Sequence, residues 1–238
     1  MTIASALLLG FVLGLKHAVD ADHLAAVATI VSERSSLLRS SLIGASWGLG
    51  HSLALLPMAL AVVLLRVEIG PQLARALEIF VALMLIGLAL DSLRKLARGD
   101  TLHVHAHRHA AQRHVHPHFH PAGDAAAAPS IDPQDESSHG LSLKPVLVGV
   151  VHGLAGSAAL MLLVLSTIPE RSLALLYVAL FAVGSTLGMV ATSLALGLPL
   201  RFTARRFARA NLALRALAGC FSLAVGTSML YQLALRGA

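Results

Sequence analysis

Charge is what this chain has least of: Asp, Glu, Lys and Arg make up 13% of its 238 residues, against about a quarter in ordinary soluble domains. A soluble surface needs those groups, so a soluble enzyme is excluded. The 56% hydrophobic content excludes a disordered tail. Cysteine is nearly absent. The single Cys220 rules out an internal disulfide framework, and with it thiolate-pair metal or redox chemistry within one chain. Aromatics, at 4%, are too few for a platform on which bases stack, so nucleic acid is not an expected partner. Met1–Leu15 lacks a basic leader and an obvious cleavage site, so removal as a signal peptide is not expected.

What is present is uncharged length. Ser40–Leu65 runs 26 residues without Asp, Glu, Lys or Arg, Pro145–Pro169 runs 25, Ser172–Leu200 runs 29 and Ala216–Leu235 runs 20. Each reaches the roughly 20 residues that carry a helix across about 30 Å of hydrocarbon. The fold class expected is an all-α polytopic membrane protein. Six spans are read, at about Ile3–Val31, Ser41–Leu65, Leu73–Leu93, Val146–Thr167, Leu173–Leu198 and Leu212–Leu235. Residues 94–143 form a polar segment between the third and fourth spans, dividing the chain into halves 1–93 and 144–238. Its Ala-, Pro-, Asp- and Ser-rich part, Pro121–His139, has the composition of disorder, and the whole segment is expected as a disordered loop.

The basic residues explain a net charge of +6 without nucleic acid. Loops after the first, third and fifth spans carry thirteen Lys and Arg, the opposite side carries four, and Lys16 lies within the first span. The positive-inside bias puts the thirteen in the cytoplasm of a bacterial-type inner membrane, with both termini outside and the long loop inside. The lipid bilayer is thus the first expected partner.

The halves also resemble each other. Gly14-Leu15-Lys16-His17 aligns with Gly149-Val150-Val151-His152, Leu49-Gly50-His51 with Leu187-Gly188-Met189, and Gly87 with Gly226, at offsets of 135, 138 and 139. Three helices per half is an odd number, so the second half enters the membrane inverted, as in many secondary transporters. Chance similarity among Gly-, Ala- and Leu-rich helices is the alternative, and the shared Gly-x-x-His is the informative part of the match.

The chemistry concentrates in Lys16-His17-Ala18-Val19-Asp20-Ala21-Asp22-His23. A charged side chain at a helix centre costs about 2.5–3.5 kcal/mol on insertion scales. Two carboxylates beside one lysine therefore call for a cation or protons. At about 100° per residue, Asp20 shares a helical face with His17 and His23, while Asp22 joins them only if the helix is broken. His51 and His152 lie in other uncharged spans and are candidates to complete a nitrogen-and-oxygen site. Each alone would more simply bridge to a neighbouring helix. Imidazole with carboxylate suits nickel, cobalt or zinc, whereas calcium and magnesium prefer oxygen and copper(I) prefers sulfur.

A second cluster holds His103, His105, His107, His109, His114, His116, His118 and His120, eight histidines in eighteen residues. Free imidazole titrates near pH 6.5, so most are neutral ligands at cytoplasmic pH, and the tract reads as a metal buffer or sensor at the inner mouth. Glu78 and Asp91 bracket the third span near its ends and carry less functional weight.

Leu15-Lys16-His17-Ala18-Val19-Asp20-Ala21-Asp22-His23-Leu24 resembles the signature of the nickel/cobalt transporter family, in which four residues separate a histidine from an Asp-His pair. Gly48-Leu49-Gly50-His51-Ser52 resembles that family's second motif, and the histidine-rich loop between two three-helix halves is similar to the nickel/cobalt exporter branch. The urease-associated membrane protein class is a close relative. The resemblance implies metal contact by His17, Asp22 and His23, with His51 contributing. The chain departs from the importers in His152–Leu163, where they carry acidic residues and this chain has none.

The expectation is a secondary transporter of Ni²⁺ or Co²⁺, not an enzyme, with no prosthetic group. The ion is cargo, held by His17, Asp20, Asp22, His23, His51 and His152, and a cytoplasmic metallochaperone is a partner the loop allows. Two alternatives stand beside it: an accessory membrane protein that stores or delivers nickel for metalloenzyme maturation, and an intramembrane metalloenzyme. The last needs an open metal position and a general base, and the spacing matches no such motif.

Overall fold

The structure is a computed structural model and describes residues 3–33, 36–65, 70–98, 101–109, 112–120, 143–168 and 170–235. The expected disorder of Pro121–His139 lies outside the described residues. Seven helices are described: α1 (Ile3–His17), α2 (Ala21–Ser32), α3 (Leu37–Leu65), α4 (Pro71–Ala97), α5 (Leu143–Thr167), α6 (Arg171–Arg206) and α7 (Ala208–Leu235). Among the described residues, four stretches are long and apolar enough to cross a membrane: Leu37–Leu65, Pro71–Ala97, Arg171–Ala204 and Ala208–Leu235. The first expected span is divided into two short apolar helices.

That division follows from local hydrogen bonding. The Val19 and Asp20 amides donate back to the Lys16 and His17 carbonyls at 3.0 and 3.1 Å, a tightening that closes α1. Asp20 then turns extended, and its carbonyl accepts from the Leu24 amide at 2.9 Å to open α2. At the other end of the chain, α6 continues well past the expected end at Leu198. Only Phe207 separates it from α7. The Asn211 amide staples this corner, donating to the Leu200 carbonyl at 3.0 Å and the Thr203 hydroxyl at 3.1 Å.

Part of the histidine-rich segment is described as two strands. Strands β1 (Thr101–His109) and β2 (Gln112–His120) pair antiparallel, with His103 opposite His118, His105 opposite His116 and His107 opposite His114. Histidine at every second residue is the period of a strand, and both arms have it.

The helices pack as interlocked pairs: α3 against α5 and α6, α1 against α6, α4 against α7, and α2 against α7. One stripe of α3, Leu42, Leu49, Leu53, Leu56 and Leu60, faces outward, while Trp47, His51, Leu55 and Ala59 are buried. Lipid supplies no hydrophobic drive between helices, so association depends on close packing through small residues. Glycine provides it at both key crossings. A Cβ on Gly149 would strike the Trp47 carbonyl and one on Gly153 the His51 carbonyl, so α5 lies backbone to backbone on α3. A Cβ on Gly14 would strike the Phe181 carbonyl and one on Gly184 the Phe11 carbonyl, which does the same for α1 on α6.

Candidate metal centre

Those crossings bring the histidines together. His17 ends α1 three residues after Gly14, His51 follows Gly50 in the middle of α3, and His152 lies on α5 between Gly149 and Gly153. His23 and Asp22 occupy the first turn of α2, where the helix N-terminus favours the carboxylate. The ring centroids stand 4.4 Å apart for His17–His23, 5.4 Å for His17–His51, 5.7 Å for His23–His51 and 4.6 Å for His23–His152.

The hydrogen bonds orient these rings. His17 Nδ1 bonds the Asp20 carboxylate at 2.8 Å, His23 Nδ1 bonds Asp22 Oδ1 at 3.1 Å, and His152 Nδ1 donates to the Val148 carbonyl at 3.2 Å. A neutral imidazole whose Nδ1 carries the proton presents a lone pair on Nε2. The Nε2 atoms of His23 and His152 and both ring nitrogens of His51 are buried with no hydrogen-bond partner among the described residues. A buried polar group left unpaired costs about 1–3 kcal/mol. Convergent lone pairs without donors are what a cation would satisfy. The ligand atoms fall into two sets, His17 with His23 and His51, and Asp22 with His23 and His152, each within 4.8 Å of one another.

The structure thus gathers His17, Asp22, His23, His51 and His152. Asp20 lies outside both sets, about half exposed, and holds His17 instead. The straight-helix reading grouped Asp20 with the histidines, and the break between α1 and α2 exchanges the positions of the two carboxylates. The histidines of β1 and β2 belong to a separate element. Two flanking residues escaped the sequence. Trp47 is fully buried, stacked on His23 at 5.5 Å with ring planes 5° apart, and edge-on to His152 at 5.3 Å. Phe181 packs on His17 at 5.4 Å. The legible signal for Trp47 was its place one helical turn before His51, as the sole tryptophan of the chain.

Fold and site define a class: a multi-pass membrane protein with a histidine–aspartate cluster enclosed among its helices. Over 231 residues the chain is 34% identical to the urease accessory protein UreH of Bacillus sp. (strain TB-90), spanning 97% of this chain and 92% of that protein. The chain belongs to the urease accessory protein UreH family. No family model matches it, and no solved structure does either.

Proposed function

We propose that this chain is a secondary transporter of divalent nickel or cobalt across the inner membrane, its cargo bound by His17, Asp22, His23, His51 and His152. The observation that carries this reading is the set of buried, donor-free imidazole nitrogens converging beside one carboxylate. The relative's name ties it to urease, which favours nickel. The α1 and α2 break resembles the discontinuous helices at transporter sites, and the helix pairing supports two inverted repeats. Gly14 lies against α6 at Phe181 and Ser185, and its counterpart Gly149 lies against α3 at Trp47. In this reading, rocking one repeat on the other exposes the bound ion to alternate sides.

The test is cellular nickel and cobalt content with the wild type against His17→Ala. More metal with the wild type means import, and less means export. Equal content removes the transport reading and favours storage or delivery to a metalloenzyme, which the accessory name of the relative makes the second reading. In that case deleting 103–120 abolishes function, whereas a transporter keeps measurable flux. Protons compete for the same lone pairs, so transport should weaken as the medium is acidified from about pH 7.5 to about pH 5.5. Equal transport by the wild type and Asp22→Asn across that range would contradict the scheme.

A further inference from the structure

We infer that the centre is two overlapping stations sharing His23, and that a single ion is handed from one to the other. This rests on the metal-binding reading above. His23 alone belongs to both triplets. His17 and His51 complete the first, from α1 and α3; Asp22 and His152 complete the second, from α2 and α5.

Exposure distinguishes the ends of this path. Each triplet has two sealed ligands and one partly open one. In the first, His17 is 17% exposed while His23 and His51 are at 1%. In the second, Asp22 is 28% exposed while His23 and His152 are at 1%. Each station therefore has one partly exposed ligand of its own, and the shared ligand is buried. Stacked on Trp47, the His23 ring is held while the ion moves.

The distances allow coordination at the second station. Asp22 Oδ2 lies 3.8 Å from His152 Nε2, and two ligands each about 2.1 Å from one ion stand between about 3 and 4 Å apart. Asp22 Oδ1 is bonded to His23, leaving Oδ2 for the ion. The hand-over is a ligand exchange. The ion keeps its bond to the His23 imidazole, the bonds from His17 and His51 break, and bonds from Asp22 and His152 form. No electron is transferred and no proton moves. Three protein ligands leave positions for water, so neither station is a closed cage, and multi-site binding of moderate strength lets an ion leave as well as enter.

The test uses purified full-length protein in which the eight histidines of 103–120 are replaced by asparagine, with Co²⁺ as probe. Calorimetry and the visible d–d spectrum are read for His51→Ala, His152→Ala, Asp22→Asn, His23→Ala and the double variant His51→Ala/His152→Ala. Each of the first three should still bind one Co²⁺, weakened by less than about tenfold, the cost of losing one of two comparable states. His152→Ala and Asp22→Asn should share one spectrum, that of the all-nitrogen station, and His51→Ala should show another. His23→Ala and the double variant should bind none. If His51→Ala and His152→Ala each abolish binding as His23→Ala does, or give the same spectrum, the centre is one site and the hand-over is wrong, with transport untouched. If the unsubstituted centre binds no Co²⁺, the metal reading itself fails.

Discussion

Asp20 and Asp22 are two residues apart and act differently because three residues between helices are not helical. Asp22 faces His23 and His152, whereas Asp20 holds the His17 ring from outside the cluster. Partners that orient a metal-ligating histidine are worth about 10–100-fold in affinity. Asp20→Ala disturbs the His17 station alone, so it should weaken Co²⁺ binding by no more than the loss of that station does, less than about tenfold, as measured by titration of the purified protein. Trp47→Ala should cost about 3–5 kcal/mol of stability through the cavity it leaves, and Trp47→Phe much less; unfolding in detergent separates them. The residue types of the site were legible in the sequence, since carboxylates and imidazoles in apolar spans need a reason to be there. Their grouping was not. Ala18-Val19-Asp20 contains no Gly or Pro to announce a break, so straight-helix geometry put Asp20 on the shared face and made Asp22 depend on a break.

Among the elements, glycine decides where the histidines meet. Gly153→Ala would drive a methyl into the His51 carbonyl and push α5 from α3, displacing His51 and His152 together. Overpacking of this kind costs about 1–3 kcal/mol, so thermal stability and Co²⁺ affinity should fall in parallel. Gly87→Ala is the contrast. A Cβ there meets nothing within 4 Å, and alanine should leave stability unchanged or raise it by up to about 1 kcal/mol. At one end of the bundle Lys95 bonds Glu33 at 3.0 Å and Asp91 at 2.9 Å, with Lys144 3.3 Å from Asp91, tying the ends of α2, α4 and α5. Asp91, which carried little functional weight near its span end, is thus a structural anchor. Helix existence was plain from hydropathy. The length of α6 was not, because arginines read as a loop also extend a helix beyond the apolar run. The β1 and β2 hairpin escaped because composition outweighed the alternation of histidine.

For the whole molecule, the orientation in the proposed reading rests on the arrangement of charge. The thirteen Lys and Arg in the loops after the first, third and fifth expected spans include those on either side of the histidine-rich hairpin. Retention of that side in the cytoplasm, as proposed, would place the hairpin where it meets metal on the cell interior. Ser36, between α2 and α3, lies on that side in this reading, and Gly70, before α4, lies on the other. Both are suited to labelling, since Gly70 has open space around its Cα and Ser36 is partly exposed. With Cys220 changed to serine to remove the one native thiol, a membrane-impermeant maleimide applied to intact cells should modify Gly70→Cys. It should reach Ser36→Cys only after permeabilisation. The reverse pattern would put the hairpin outside, where it could not buffer cytoplasmic metal. Equal labelling of both variants in intact cells would place Ser36 and Gly70 on one face, so that α3 does not cross, and the inverted arrangement of the halves would fall with it.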